Sequence, residues 1–157
     1  MARCRVRHTH GMFSVYFLAD PQLAETLVDD GPERAGLTGV ELNDGDPSET
    51  GGLLWALLAG APLEFDPMRF DTWQDCVGTA DESSGLMLIH DGLVQALTEL
   101  PDERIPAVAA TWATADEWQR RDEPWAPGEL DATVRGLRDL ARAARTTGQR
   151  MYVWFEG

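Results

Sequence analysis

The chain alternates between short apolar runs and stretches in which apolar residues recur at helical spacing. Residues 12–18 are rich in aromatic and aliphatic side chains, lie between Gly11 and Asp20, and predict an interior strand. Residues 151–155 predict a second strand of the same kind. Because an exposed terminal strand this apolar would invite aggregation, we expect it to pair inside the sheet, beside residues 13–17.

Helical spacing accounts for much of the remaining chain. Asp20 and Asp91 are the expected N-caps of two helices, and Asp46 with Pro47 begins another. The predicted helices cover residues 21–30, 47–58, 91–100, 102–121 and 129–147. The last of these is the clearest, since its apolar stripe ends at Gly148, a residue suited to a left-handed cap. Residues 31–46 predict a loop, and residues 59–85 predict an irregular segment with one strand at most.

These elements predict an α+β fold. The length of 157 residues suits one domain with its own core. We expect a small mixed or antiparallel sheet that includes the N-terminal and C-terminal strands and is packed by several helices. Residues 1–10 lack apolar periodicity and predict a flexible extension, so the domain is expected to span residues 11–157.

The charge of the chain limits its partners. The formal net charge is −14, and all 13 basic residues are arginine. Residues 8–103 carry 19 acids and two arginines, whereas residues 104–157 carry eight of each. A body this acidic repels phosphate backbones and anionic bilayers, which disfavours nucleic acid and membrane partners. It attracts a basic protein, as immunity proteins attract cationic nuclease toxins.

Exposed aromatic residues would strengthen such an interface. Tryptophan is enriched at binding hot spots, and three of the six tryptophans lie among acids in the sequence. The predicted partner-binding residues are Trp73, Asp75, Asp81, Glu82, Trp118 and Trp125. An additional stripe of arginines, Arg135, Arg138, Arg142 and Arg145, is expected to pair with acids of the first part of the chain, with an anionic ligand site as the alternative.

Catalytic motifs are absent from the sequence. It contains no phosphate-binding glycine loop, no G-x-S-x-G elbow and no zinc-protease motif. The candidates for catalysis are His90, Asp91 and Cys76, which could act as base, orienter and nucleophile. The alternative is a structural role, with Asp91 as a helix cap after a partly buried histidine. A small enzyme using His90 and nearby carboxylates in acid-base chemistry is therefore the second functional hypothesis, after a non-catalytic protein-binding module.

Metal and redox signals are weak. Cys4, His8 and His10 are of the types that bind zinc or copper, but they are also compatible with a loose terminal arm. We therefore expect no metal and no cofactor. Two cysteines predict no disulfide framework, which favours the cytoplasm. The apolar runs are too short to cross a bilayer.

The order of the elements resembles the YfbM-like family, a bacterial domain of unknown function. The resemblance lies in a Gly-Met start into a strand and short helix, a Gly-Gly-Leu-Leu-Trp helix at residues 51–60, a helix opening after the apolar run 86–89, and a long final helix leading into a strand. It spans most of residues 11–157, and departs from the family at residues 31–46 and 68–84. The resemblance implies a small α+β domain with no assigned reaction, so no functional residue is carried over.

Overall fold

Five strands form one antiparallel sheet in the computed structural model, which describes residues 12–61, 74–119 and 125–157. The strands are β1 (Phe13–Ala19), β2 (Val40–Asn43), β3 (Gln74–Thr79), β4 (Gly85–Ile89) and β5 (Arg150–Glu156). Their order across the sheet is β2-β1-β5-β4-β3. The N-terminal and C-terminal strands are therefore neighbours, as the sequence predicted, with Val15 opposite Trp154 in the register.

Six α-helices complete the described part of the domain, which confirms the predicted α+β class. They are α1 (Pro21–Glu25), α2 (Pro47–Leu58), α3 (Asp91–Thr98), α4 (Ile105–Ala113), α5 (Asp116–Gln119) and α6 (Glu129–Thr147), with 3₁₀ turns at Glu33–Ala35 and Asp102–Arg104. Gly148 adopts the left-handed conformation (φ 74°) after α6, and its N–H donates to the carbonyl of Ala144. The long final helix thus begins and ends where its sequence pattern predicts.

The larger core lies between one face of the sheet and the helices. Alternate strand residues point to this face, among them Tyr16, Met87 and Val153, all at most 3% exposed. Helices α3 and α4 both pack against α6. The apolar stripe of α6 lies in this core, with Val134 and Leu137 at most 1% exposed. Burial of this stripe, rather than helix propensity alone, stabilises α6.

The opposite face of the sheet has a thinner cover made by α1 and the residues after it. Phe17, Leu27 and Trp154 are buried in this second core. Gly31 has a φ of 75°, and a Cβ built there would lie 2.8 Å from the indole of Trp154. Glycine is therefore needed at this position both for its backbone conformation and for the close approach of the ring. The segment after α1 is held against β5.

Tryptophan side chains connect three of the helices. The rings of Trp112 and Trp118 have centroids 5.3 Å apart, and those of Trp118 and Trp125 are 5.4 Å apart, both in edge-to-face geometry. The indole N–H of Trp112 donates to the carbonyl of Thr50 at 2.9 Å. The cluster thus joins α2, α4 and α5, and edge-to-face pairs of this kind add to the burial of the rings.

Four local predictions differ from the structure. Residues 40–43, predicted as loop, form the short edge strand β2, because one buried side chain, Leu42, gives too little periodicity to read. The helix predicted over 102–121 is divided, and α4 ends at Ala113, followed by Thr114, whose hydroxyl donates to the carbonyl of Thr111. His90, not Asp91, occupies the N-cap position of α3, and Asp20 makes no side-chain cap bond to α1.

Three of the four arginines in the α6 stripe attach the helix to its neighbours, and two of them, Arg135 and Arg138, pair with an acid of the first part of the chain, as the sequence favoured. Arg138 is buried and its guanidinium bonds to Asp102, and Arg135 approaches the same carboxylate at 3.4 Å. Arg142 donates to the carbonyls of Thr98 and Leu100. The hydrogen bond from Arg138 lowers the pKa of Asp102, and the same bond raises the pKa of Arg138. These contacts attach α6 to the end of α3.

Candidate functional site

Carboxylates gather at the end of the sheet where the β3–β4 hairpin turns. Asp81 and Glu82 lie in this turn and are exposed, and Glu156 is exposed at the end of β5. The hydroxyl of Ser83 donates to the carbonyl oxygen of Gly157 at 3.2 Å, so the hairpin turn lies beside the end of β5. Phe13, the first residue of β1, pairs with Glu156 at this same end.

The acidic loop after α1 reaches the same end of the sheet. The indole N–H of Trp154 donates to the carbonyl of Val28 at 3.1 Å, and a Cβ on Gly78 would lie 3.2 Å from a methyl group of Val28. Asp29 and Asp30 follow Val28 directly and are exposed. We call this end of the sheet the acidic surface and define it by Asp29, Asp30, Asp81, Glu82 and Glu156.

The hairpin turn is ordered by its own carboxylate. Asp81 Oδ1 accepts hydrogen bonds from the backbone N–H of Ser83 at 2.8 Å and from the hydroxyl of Ser84 at 2.7 Å. These bonds lower the pKa of Asp81, with the Ser84 hydroxyl as the largest cause. The carboxylate therefore remains negatively charged at neutral pH, and its position in the turn is fixed.

An arginine contacts this surface. Arg34 pairs with Asp30 at 2.7 Å, one turn apart along the chain, and both side chains are exposed. An exposed pair of this kind contributes little to stability. Among the ion pairs of the described residues, the pair of Arg34 with Asp30 is the one that joins an arginine to the acidic surface. Among the described residues, the five carboxylates that define the surface outnumber the arginine that pairs with one of them.

Two of the three predicted aromatic anchors, Trp118 and Trp125, belong to the tryptophan cluster and not to this surface. Trp118 is 1% exposed at the centre of the tryptophan cluster, so the prediction that it contacts a partner is wrong. Its acidic neighbours in sequence misled the prediction, because α5 is too short to show which face is buried. Trp125 is half-buried and packs against Trp118. Trp73 lies outside the described residues.

Buried carboxylates near α2 were not predicted as a group. The backbone N–H of Asp46 donates to Glu117 Oε1 at 3.0 Å, and Asp46 accepts from the backbone N–H of Ser48 as the cap of α2. Burial raises the pKa of Tyr16, and the charge of Asp46 raises it further. The sequence signal was the Asp-Pro cap, which identified Asp46 but gave no indication of its long-range contact with Glu117.

The structure brings together two predicted site residues, His90 and Asp75. His90 Nε2 and Asp75 Oδ2 are 2.8 Å apart, with the side chains 25% and 43% exposed. The sheet register explains the contact, since Asp75 lies opposite Leu88 in the antiparallel pair, and His90, two residues after Leu88, is a diagonal neighbour of Asp75 on the same face. A histidine oriented by a carboxylate is one component of an acid-base site.

Cys76 does not complete a catalytic set with this pair. Cys76 is in a disulfide bond, so it is not available as a thiolate nucleophile, and the prediction of that role is wrong. The other cysteine of the chain, Cys4, lies outside the described residues, as do His8 and His10. Asp91 begins α3, and within the described residues it makes no ion pair with His90.

Within 12–61, 74–119 and 125–157, no three His, Cys, Asp or Glu side chains are grouped so as to hold a metal ion. The helices within the same ranges lack the length and apolar character needed to span a bilayer.

Comparison with known proteins gives no relative for this chain. No family model matches it, and neither the curated proteins nor the solved structures contain a match.

Proposed function

We propose that the protein is a non-catalytic binding module whose acidic surface receives a basic protein partner. The observation that supports this most directly is the convergence of Asp29, Asp30, Asp81, Glu82 and Glu156 at one end of the sheet, from three separate parts of the sequence. Opposite charge accelerates encounter and selects the orientation of docking. Polyanions such as nucleic acids are disfavoured by the same field.

The shape of this site also supports recognition of a protein. The hairpin turn is fixed by Asp81, and Trp154 fixes the loop that carries Asp29 and Asp30. Carboxylates on preordered backbone lose less entropy on binding than carboxylates on a mobile tail. An immunity-type or regulatory protein for a cationic partner fits these properties. We also propose that the chain is related to the YfbM-like family, because the order of its elements resembles that of the family.

Neutralising the acidic surface is expected to abolish capture of the partner. The test variant carries Asp29→Asn, Glu82→Gln and Glu156→Gln. Used as bait in native lysate, wild-type protein should enrich a basic protein that this variant fails to enrich, as measured by quantitative mass spectrometry. All three side chains are exposed, and circular dichroism of the variant verifies that it is folded.

A matched control separates this surface from total charge. The control variant carries Asp116→Asn, Glu99→Gln and Glu103→Gln, which removes the same number of exposed acids of the same types elsewhere. It should capture the basic partner as well as wild type does. Equal loss in both variants, or no enriched basic protein with any bait, contradicts the proposal.

A second function has one specific observation in its favour, the 2.8 Å contact between His90 and Asp75. If this pair performs acid-base catalysis, wild-type protein should hydrolyse a member of a panel of p-nitrophenyl esters, phosphates and glycosides. His90→Gln should abolish that turnover, whereas the His8→Gln, His10→Gln double variant should retain it. Absence of turnover on the whole panel, or equal turnover in His90→Gln, counts against catalysis.

We infer a cytoplasmic location from the low cysteine content, and the disulfide at Cys76 opposes it. Disulfides persist mainly in oxidising compartments. Trapping the thiols in intact cells with a maleimide reagent distinguishes a cytoplasmic location from an oxidising compartment. Labelling at Cys76 supports the cytoplasm, and labelling only after reduction contradicts it.

A further inference from the structure

A cavity of about 260 Å³ lies at the end of the sheet opposite the acidic surface. It is bordered by the end of β4, the first turns of α3, the end of α6 and the start of β5. Its apolar walls include Leu88, Val94 and Met151. Three charged side chains, Asp91, Arg145 and Arg150, line the same space.

The arginines of this cavity differ from those that attach α6 to α3. Arg145 lies in the last turn of α6 and Arg150 begins β5, and the left-handed Gly148 between them turns the chain so that both border one space. Whereas Arg138 is bonded to Asp102, neither Arg145 nor Arg150 takes part in an ion pair or side-chain hydrogen bond within the described ranges. Two guanidinium groups thus line one space and are not bonded to a carboxylate of the described residues.

The cavity also contains a carboxylate that the arginines do not reach. Asp91 lines it, yet it forms no ion pair with Arg145 or Arg150 in the described structure. The chain has 27 acids, yet Arg145 and Arg150 bond to none of them within the described residues. Because positive and negative groups line the same space without contact, a ligand that carries both charges can bind to both. A simple anion would be attracted by the arginines but repelled by Asp91.

We propose that this cavity binds a small zwitterion of the α-amino-acid class with an aliphatic side chain. Its carboxylate lies against Arg145 and Arg150, which provide charge-assisted hydrogen bonds, and its ammonium group lies toward Asp91. Val94 and Met151 contact the aliphatic side chain. The volume lies below the ~300 Å³ at which drug-sized pockets begin and so suits a ligand of this size.

The proposal is tested by titration with four probes, followed by amide chemical shifts of the full chain. L-leucine should bind saturably and shift the amides of Gly148 and Gln149. 4-Methylpentanoate, which lacks the ammonium group, and L-leucinamide, which lacks the carboxylate, should each bind about tenfold more weakly. Inorganic phosphate should bind more weakly than leucine, because it has no group for Asp91 or for the apolar walls.

Variants assign each charge to its role. Arg145→Gln and Arg150→Gln should each weaken leucine binding about tenfold. Asp91→Asn should remove the preference for leucine over 4-methylpentanoate. Arg104→Gln, an exposed arginine of the Asp102–Arg104 turn, is the matched control and should bind as wild type does. All four side chains are exposed, so unchanged melting temperatures verify that each variant is folded.

Three results would overturn the proposal. The first is the absence of saturable leucine binding. The second is binding of phosphate or 4-methylpentanoate as tightly as leucine, since the cavity would then be an anion site. The third is an equal loss of leucine affinity in Arg104→Gln and in Arg145→Gln, which would show that binding depends on net charge alone. None of these results bears on the acidic surface, which lies at the other end of the sheet.

Discussion

Trp112→Ala should lower the free energy of unfolding by about 3–5 kcal/mol, the range for removal of a fully buried aromatic side chain. Trp112 is 0% exposed, packs edge to face against Trp118 and donates its N–H to the carbonyl of Thr50. The substitution leaves a large cavity between α2, α4 and α5 and removes a contact between α2 and the rest of the helical layer. Urea unfolding followed by circular dichroism measures the loss.

Trp112→Phe is the informative companion. It keeps most of the buried ring but loses the hydrogen bond to Thr50, so it should cost less than the alanine variant. Because the N-cap residue of α2, Asp46, bonds to Glu117 of α5 beside this cluster, amide hydrogen exchange in α2 should rise in Trp112→Ala. A loss below 1 kcal/mol in Trp112→Ala would contradict the place of this cluster in the core.

Gly39→Ala should destabilise the edge of the sheet by about 1–3 kcal/mol or more. A Cβ at residue 39 would lie 1.9 Å from the backbone oxygen of Tyr16, and backbone atoms cannot rotate away as a side chain can. Tyr16 is in β1, which is held by β5 on its other side, so β2 is the strand that must move. Hydrogen exchange should therefore rise first at the amides of β2.

Thr38→Ala provides the comparison for this glycine. Thr38 is its direct neighbour and is exposed, so its truncation should change stability by no more than about 0.5 kcal/mol. The expected difference isolates the close approach at residue 39 from general effects on the loop. Equal stability of the two variants, measured by thermal unfolding, would show that β2 does not lie where the structure has it.

The local sequence predicts elements whose residues are buried with a regular period. Residues 129–147 carry a core-facing stripe between a start and an end that are both marked, and the structure has α6 over this range. The strands β1 and β5 were predicted for the same reason, and aggregation of an unpaired apolar end predicted that they pair. Such features depend on neighbouring residues and on solvent.

The candidate sites depend on contacts between distant residues. Asp29 and Asp81 are brought to one end of the sheet because Val28 packs near Gly78, and nothing in either loop encodes that meeting. The contact of Asp75 with His90 depends on the hairpin register. Trp118 appeared to be a surface residue because it lies between acids, but Glu117 beside it is itself buried and bonded to Asp46.

The central claim is that the acidic surface attracts a basic protein, and the association rate constant of the captured partner tests it most directly. This rate constant is measured by biolayer interferometry over a range of salt concentrations for wild type, the surface variant and the matched control. The account predicts a steep fall with salt for wild type and for the control, and a rate at low salt about tenfold lower for the surface variant. Equal rates for the surface variant and the control, or a rate for wild type that does not change with salt, would contradict it.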